Sequence, residues 1–335
     1  MRFGGAGVSE EKPEEGTRTL WRDQKGMALL ITIMTVSLLV AVTIQYHKTT
    51  WQQFLVSNNY RVGTQLKAIA DSGVNIALAV LQSDGEENED DSFLDSWAAL
   101  QQESFDGFFS AGTLRLKVVD LSGRLQINSL VQSAGNNAGG AGGTNTQDEI
   151  RAILLRLLLS GFFQIEDEGE AQSIVDALVD WIDINEEESD LGAESSYYQS
   201  LAKSYSCRNG PVRFIEELLL VRGISPELLF GAAGKRGLAD YVTVIGNDGK
   251  VNLNTAPLLV VKSLDALIGD DLLDAFDEYR RDKANEESLA TSAWYKEVDG
   301  WPGDIVLNEK LLTSRSAYFQ IIAMGRFDTQ SRRVV

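Results

Sequence analysis

Residues 27–44 read MALLITIMTVSLLVAVTI and contain no charged side chain. A run of this length is at the lower limit for a helix that crosses a bilayer, and it is purer than most helices of a globular core. A secretory signal has a shorter apolar segment that ends at a small-x-small site, which is missing here. Arg18, Arg22 and Lys25 precede the run, and positive charge marks the cytoplasmic side. The sequence predicts one membrane-spanning helix with a cytoplasmic N-terminus and the bulk of the chain on the other side.

The helical pattern continues beyond the apolar run. Apolar residues recur at steps of three and four from Phe54 to Leu81, which is the spacing of one helix face. Gly63 and Gly73 are the only helix-breaking residues in between. We therefore predict one helix over residues 27–82, about 80 Å long at 1.5 Å per residue, with its first half in the membrane and its second half packed on a domain.

Composition limits the classes of function. The chain has 335 residues, and 30 Lys and Arg against 49 Asp and Glu give a formal net charge of −19. Nucleic-acid binding needs a basic surface, so this balance argues against a general nucleic-acid partner. The single cysteine, Cys207, cannot form an internal disulfide or a cysteine metal cage, and we expect it to be packed or free. His47, the only histidine, lies beside the anchor, and no nucleophile elbow or phosphate loop occurs, so no enzyme is predicted.

The rest of the chain mixes strand and helix patterns. Residues 84–91 (DGEENEDD) predict a solvated acidic loop, and the Gly- and Asn-rich residues 133–146 predict a flexible one. Residues 246–249 predict a hairpin turn between segments 241–245 and 250–254. The other predicted strands are 114–119, 124–128, 318–324 and 332–335, and the predicted helices are 148–159, 170–184, 211–221, 226–230, a helix capped by Asn254 or Thr255, and 270–283.

Two short segments resemble each other. Residues 122–130 (SGRLQINSL) and 248–256 (DGKVNLNTA) both read as a turn, a short strand, an asparagine and a helix start. Asn128 and Asn254 can each bond local backbone groups at that junction. We expect a structural role for both asparagines rather than a catalytic one.

An acidic turn follows the helix predicted over residues 170–184. Residues 183–194 (DINEEESDLGAE) concentrate the carboxylate and amide oxygens that calcium prefers. Asp183, Asn185, Glu187 and Glu194 fall at EF-hand positions one, three, five and twelve, but Glu188 stands where that loop requires glycine. The turn is therefore not an EF-hand. From these residues alone a solvated loop and a cation site both stay open, and the lack of Cys and His excludes a soft-metal site.

Four further segments carry a family resemblance. They are residues 120–128 (DLSGRLQIN), 178–183 (LVDWID), 192–198 (GAESSYY) and 251–257 (VNLNTAP). Their order and spacing resemble the general secretion pathway protein K family, the minor pseudopilin K of type II secretion, and with the anchor the resemblance covers about residues 20 to 335.

The resemblance implies an α+β fold. In that fold a type IV pilin-like domain, with a long N-terminal helix on an antiparallel sheet, carries a large inserted, mainly α-helical domain. The implied divisions are a prepilin leader (1–26), a transmembrane part of the helix (27–46), a pilin-like α/β domain (47–131 and 316–335) and the inserted domain (132–315).

The junction ahead of the apolar run resembles a prepilin processing site. Lys25 and Gly26 precede Met27, and the resemblance implies that prepilin peptidase cuts after Gly26 and that the new N-terminal Met27 is methylated. Glycine suits the site because it has no side chain to obstruct the backbone. The fifth mature position is Ile31, where pilins usually carry Glu, and within these proteins that departure marks pseudopilin K.

The resemblance also implies a role and partners. The chain would be a single-pass inner-membrane protein with a periplasmic bulk, located at the tip of the type II secretion pseudopilus, where it helps initiate assembly for protein export across the outer membrane. The implied partners are the other minor pseudopilins, the major pseudopilin, prepilin peptidase and the inner-membrane secretion platform, with no nucleic acid. The implied cofactor is calcium: Asp183, Asn185 and Glu194 match the family's pattern, and Asp190 and Glu188 are additional candidates.

The alternative is a membrane-anchored helix-hairpin-helix DNA-binding protein. Residues 218–224 (LLLVRGI) and 251–257 resemble segments of DNA-uptake receptors. A DNA groove needs basic residues around Gly223, which the net charge of −19 opposes.

The prepilin-like junction generates a processing prediction. In a host with active prepilin peptidase, mass spectrometry of the membrane-extracted protein should find a methylated Met27 as the first residue. Gly26→Leu should retain the leader, because its side chain obstructs the backbone at the cleaved bond. Unsubstituted protein that still begins at Met1 in that host would contradict the prediction.

Overall fold

The computed structural model describes residues 21–131, 146–165, 167–232 and 234–335. Residues 1–20 of the predicted leader and residues 133–145 of the predicted flexible loop lie outside this part of the chain. The chain divides into two units at Thr64, and Gln65–Val335 forms the larger one.

The described residues form eight α-helices and seven strands. The helices are α1 (Trp21–Glu87), α2 (Ser96–Ala99), α3 (Thr146–Leu158), α4 (Glu168–Ile182), α5 (Ser195–Ser200), α6 (Pro226–Phe230), α7 (Leu258–Leu264) and α8 (Asp270–Tyr279). The strands are β1 (Thr113–Asp120), β2 (Leu125–Gln126), β3 (Val242–Thr243), β4 (Val251–Asn252), β5 (Leu312–Thr313), β6 (Phe319–Phe327) and β7 (Gln330–Val334).

Helix α1 confirms the long N-terminal helix and extends it at both ends. Every residue from 26 to 57 is exposed. A helix that leaves a long run of Leu, Ile, Val and Met side chains uncovered is typical of a segment whose solvent is lipid. This part of α1 is therefore a candidate single-pass membrane anchor.

Strands β1, β6 and β7 form an antiparallel sheet with β6 in the centre. Leu116 lies opposite Ala323 in the β1–β6 pair, and Met324 lies opposite Arg333 in the β6–β7 pair. Alternate residues of β1 are buried, as expected for a sheet with one covered face. The strands predicted over residues 114–119, 318–324 and 332–335 are thereby confirmed.

The second half of α1 covers that face of the sheet. Leu66, Ile69 and Ala77 are buried at helical spacing. A Cβ on Gly73 would lie 2.7 Å from a methyl group of Leu114, and a Cβ on Gly325 of β6 would overlap the carbonyl oxygen of Leu66. Two glycines, one on the helix and one on the sheet, thus allow this close approach.

The chain between β1 and β6, residues 121–318, is mainly helical, and we call it the helical region. Its core joins α3, α4, α7 and α8 through buried side chains such as Leu154, Leu178, Val260 and Phe276. Arg156 of α3 donates to the carbonyl oxygens of Ser263 and Leu264 at the end of α7, at 2.7 and 2.8 Å. Two pairs of short parallel strands, β2 with β3 and β4 with β5, complete this region.

The hairpin predicted around residues 246–249 is wrong. Strands β3 and β4 flank this turn but pair with β2 and β5 instead of with each other. The side chain of Gln126 explains the difference, because its Oε1 accepts from the amides of Asp248 and Gly249 at 3.0 and 3.2 Å. The backbone amides of the turn therefore donate to the side chain of Gln126, a residue far away in the sequence.

Two other helix predictions need correction. The segment 211–221 forms only a 3₁₀ helix, Ile215–Leu220. The Val212 carbonyl oxygen, which an α-helix would use to accept from residue 216, instead accepts from Asn128 Nδ2 at 2.9 Å. Helix α7 begins at Leu258 instead of at a cap from Asn254 or Thr255. Those two side chains bond elsewhere: Asn254 donates to the Leu289 carbonyl oxygen, and Thr255 donates to Asp120.

The structural role expected for the two asparagines is confirmed, with a longer reach than predicted. Asn128 Nδ2 donates to the carbonyl oxygens of Val212 and Val244, and Asn254 Oδ1 accepts from Trp294 Nε1 at 2.7 Å. Both side chains are buried. Each asparagine therefore ties together segments that are far apart in the sequence, and these bonds are not to the local backbone groups that were expected.

The close contact at Gly325 generates a stability prediction. Gly325→Ala should lower the free energy of unfolding by about 1–3 kcal/mol, because overpacking forces helix and sheet apart. Gly85→Ala is the matched control: a Cβ on this exposed glycine of α1 would meet no other atom within 4 Å, and alanine there should stabilise by roughly 0.5–1 kcal/mol. Denaturant unfolding measures both. Equal effects of the two substitutions would contradict the packing argument.

Candidate functional site

The candidate site is built where helix α4 ends. Asp167 caps the start of α4 by accepting from the Glu170 amide at 2.8 Å. The apolar face of α4 is buried, and after Ile182 the chain leaves the core as the predicted acidic turn. The turn returns to the core at Glu194, directly before α5. The two ends of the turn are brought together because α4 packs on α5, where the ring centroids of Trp181 and Tyr198 are 5.0 Å apart.

Three carboxylates meet at this point. Asp180, Asp183 and Glu194 each offer an oxygen, and these oxygens lie within 4.8 Å of one another. Asp180 is fully buried and Glu194 is only 2% exposed. We call these three residues the helical-region cluster.

Asp180 is fixed by its neighbours. Its carboxylate accepts from the amide and the hydroxyl of Ser189, at 3.1 and 2.6 Å. A side chain on Gly192 would overlap the Asp180 carboxylate, so only glycine fits beside it. Arg222 donates to the Gly192 carbonyl oxygen at 2.8 Å and holds this part of the turn in place.

Glu194 has the least compensated charge of the three. Both of its carboxylate oxygens are buried and have no hydrogen-bond partner among the described residues. Burial is the largest cause that raises the pKa of Glu194 to about 7, and the neighbouring Asp180 and Asp183 raise it further. Burial also raises the pKa of Asp183. No Lys or Arg forms an ion pair with this cluster in the part of the chain that the structure describes.

The structure brings together only part of the predicted ligand set. Asp183 and Glu194 are in the cluster, and Asn185 is adjacent, donating from Nδ2 to Asp183 Oδ2 at 2.9 Å. Glu188 and Asp190 lie outside the cluster, on the outward part of the turn. Their side chains are kept from the cluster because the turn points away from the core between its two ends.

Sequence reasoning missed Asp180. A signal was available, since this aspartate interrupts the apolar run of α4, ALVDWI, at a position that helix packing buries. Burying a carboxylate in such a run is costly unless a donor or a cation compensates for it.

A hard divalent cation fits this set of donors. The cluster contains only oxygen ligands, which calcium prefers, and its two unpartnered Glu194 oxygens lack any other compensating group among the described residues. Cys207 does not change this chemistry. Its thiol is buried and donates to the Asp180 carbonyl oxygen at 3.5 Å, and burial raises its pKa to about 12, which keeps it protonated.

The chain has an apolar N-terminal helix that continues onto an antiparallel sheet, and the helical region lies between two strands of that sheet. This architecture defines an α+β protein with a candidate membrane anchor.

A family model described as type II secretion system (T2SS), protein K, matches residues 123–246. Type II secretion system protein K of Aeromonas hydrophila is 28% identical over 320 residues, covering 93% of this chain and 92% of that protein. The corresponding protein of Pectobacterium carotovorum subsp. carotovorum is 27% identical, covering 70% and 69%. The chain is thus similar to type II secretion system protein K, by a family model over residues 123–246 and by relatives along most of its length.

A solved structure has the same fold. It is the GspK-GspI-GspJ complex from the type 2 secretion system of enterotoxigenic Escherichia coli, with a TM-score of 0.60, 17% identity, and coverage of 83% of this chain and 91% of the matched chain. These comparisons give no support to the DNA-binding alternative. Arg222, the basic residue beside Gly223, donates to Gly192 and lies over the Tyr197 ring.

The raised pKa of Glu194 generates a pH prediction for the metal-free protein. The folded state holds the Glu194 proton up to a pH of about 7, whereas the ordinary value is 4.5. Between these values the folded state binds more protons than the unfolded state, so stability falls as pH rises. Glu194→Gln stays neutral and should remove this part of the slope.

Denaturant unfolding between pH 4.5 and 8 with a chelator measures this effect. Glu188→Gln is the matched control, because Glu188 is exposed and should leave the slope as it is. A wild-type slope that Glu194→Gln does not change would contradict the assignment.

Proposed function

We propose that this chain is a minor pseudopilin at the tip of the type II secretion pseudopilus, where it helps initiate assembly for export across the outer membrane. The observation that carries the proposal is the helical region between neighbouring strands β1 and β6. The similarity to type II secretion system protein K supports the assignment to this secretion system. The family is one of structural secretion components, so the function proposed is assembly and not catalysis.

The same organisation supports a pilin-like interpretation. Helix α1 packs on the β1-β6-β7 sheet, and the chain leaves that sheet after Asp120 and returns to it at Phe319. On this interpretation residues 47–131 and 316–335 form the pilin-like domain, residues 132–315 form the inserted domain, residues 1–26 are a leader and residues 27–46 cross the inner membrane. The N-terminus would be cytoplasmic and the remainder periplasmic.

Two physical arguments favour the tip over the shaft. An isolated charge in an apolar filament core is expensive, so an ordinary subunit needs a Glu to neutralise the N-terminal amine of its neighbour. Ile31 cannot do so, and the first subunit of a filament has no predecessor whose amine requires it. The second argument is size, since a large helical region on the sheet would collide with a subunit stacked above it. Both arguments allow this chain only at an end.

The proposed partners follow from the relatives. The solved complex contains GspI and GspJ together with GspK, so we propose the corresponding minor pseudopilins as neighbours of this chain along α1. The major pseudopilin, prepilin peptidase and the inner-membrane platform are the other partners that this role requires.

The tip assignment predicts a crosslinking pattern. Leu38→Cys, in the exposed apolar part of α1, should crosslink to other minor pseudopilins in membranes. Val306→Cys is the control, because Val306 is equally exposed but belongs to the helical region and not to α1. The buried Cys207 should contribute little background.

Immunogold label on the chain should mark one end of each filament, and label repeated along shafts would refute the tip assignment.

We also propose that the helical-region cluster binds calcium. Asp180, Asp183 and Glu194 would supply carboxylate ligands, with Asn185 beside them. A cation that binds only the native state stabilises it by about 2.7 kcal/mol at a free concentration of 100 times its Kd. The sequence candidates Glu188 and Asp190 could become ligands only if the turn rearranges.

Thermal unfolding of the full chain in detergent tests this proposal. Calcium should raise the Tm relative to chelator, and Asp183→Asn with Glu194→Gln should reduce that rise. Glu188→Gln should leave it unchanged, because Glu188 lies outside the cluster. A calcium response of the same size in the double variant and the wild type would exclude this site.

A further inference from the structure

A second group of carboxylates lies where helix α1 ends. Asp84 is in the last turn of α1, and the chain that follows folds back so that Asp91 and Asp95 approach it. One oxygen from each of these three residues lies within 4.8 Å of the others. We call this group the α1-end cluster. Residues 84–91 were predicted to be a solvated loop, and Asp84 departs from that prediction because it is only 6% exposed.

The Asp84 carboxylate has a hydrogen-bond donor for only one of its two oxygens among the described residues. Its Oδ1 accepts from Asn88 Nδ2 at 3.0 Å. Its Oδ2 is buried and has no hydrogen-bond partner among the described residues. A buried carboxylate oxygen without a donor is costly, and here it belongs to a side chain that faces two other carboxylates.

The other two carboxylates are held in place by donors. Asp95 accepts from the Ser92 amide at 2.6 Å and from Trp97 Nε1 at 3.1 Å. Asp91 accepts from the Ser316 amide at 2.7 Å. The geometry is thus fixed by the surrounding donors and does not depend on mutual attraction between the acids, which repel each other.

No Lys or Arg of the described residues pairs directly with this cluster, and Arg315 acts on Asp91 only through its more distant charge, which opposes the rise that burial causes in the pKa of Asp91. Among the described residues none of the three carboxylates forms an ion pair, and the last turn of α1 contains no basic residue. The C-terminal end of a helix carries partial negative charge, which adds to the unfavourable field. Burial, foremost, and the neighbouring carboxylates raise the pKa of Asp84 and of Asp90 to about 6.

We propose that the α1-end cluster is a second site for a hard divalent cation, of which calcium is the best fit, and that it is separate from the helical-region cluster. All donors are oxygens, and an irregular loop that supplies carboxylates suits the flexible coordination of calcium better than the strict octahedron of magnesium. The helix end adds to the attraction for a cation.

The position of this site gives it a structural purpose. The Asp91 amide donates to the Ser314 carbonyl oxygen at 2.8 Å, and the Asp91 carbonyl oxygen accepts from Asn252 and Asn254 at 3.0 and 3.2 Å. A cation that holds Asp91 against Asp84 would therefore fasten the end of α1 to the place where the helical region returns to β6. The site would thus link α1 to the end of the helical region that precedes β6.

Terbium luminescence on the full chain in detergent tests the proposal. Tb³⁺ replaces calcium, and Trp97, which donates to Asp95, is placed to sensitise its emission. The background variant is Asp183→Asn with Glu194→Gln, which removes the helical-region cluster. In that background Asp84→Asn should weaken Tb³⁺ binding by at least about tenfold. Asp106→Asn, an exposed charge-matched control, should not change it.

A second measurement separates cation binding from a purely structural role. With chelator, Asp84→Asn should leave the Tm equal or higher, because it removes a buried charge, and it should abolish the calcium-dependent rise in the same background. Asp91→Asn serves as the second variant, with the same expected loss of that rise. The proposal is overturned if the background protein gives no sensitised emission, if Asp84→Asn leaves Tb³⁺ affinity unchanged, or if it lowers the Tm equally with and without calcium.

Discussion

An ionised carboxylate can be buried only where donors or a cation surround it, and this requirement governs three places in the structure. Asp120, 7% exposed, meets it with donors: the Ser122 amide at 2.7 Å, the Ser316 hydroxyl at 2.5 Å and the Thr255 hydroxyl. Burial raises the pKa of Asp120, and the hydrogen bonds from Ser316 and Thr255 oppose that rise. Asp84 and Glu194 have buried oxygens without such donors among the described residues, which is why both point to a cation.

Two of these places, at Asp120 and Asp84, lie where the helical region connects to the sheet and to α1. Asp120 is the last residue of β1, and its donors come from the start of the helical region, from the approach to α7 and from the chain that returns to β6. Ser316 connects Asp120 to Asp91, since its hydroxyl donates to one and its amide to the other. The helical region is therefore anchored to the sheet by polar contacts at its base, while apolar packing builds its interior.

Sequence reasoning succeeded where a pattern repeats along one element. Helix α1 and strands β1, β6 and β7 follow from periodicity, because a single amphipathic face determines each of them. It failed where one distant side chain decides the outcome. Gln126 accepts from the amides of the turn that was predicted to be a hairpin, and Asn128 donates to the Val212 carbonyl oxygen that an α-helix would use. Spacing also could not tell which acids of the turn face inward, so Glu188 and Asp190 were proposed, while Asp180 was missed although it interrupts the apolar run of α4.

We propose that bound divalent cations, rather than Lys or Arg side chains, neutralise the buried acids at the two carboxylate clusters of this chain. Equilibrium dialysis of the full chain in detergent against radioactive calcium tests that claim most directly, because it counts bound ions without depending on any variant. We expect two tightly bound calcium ions per chain, one at each cluster of carboxylates. A folded chain that retains none would contradict the claim.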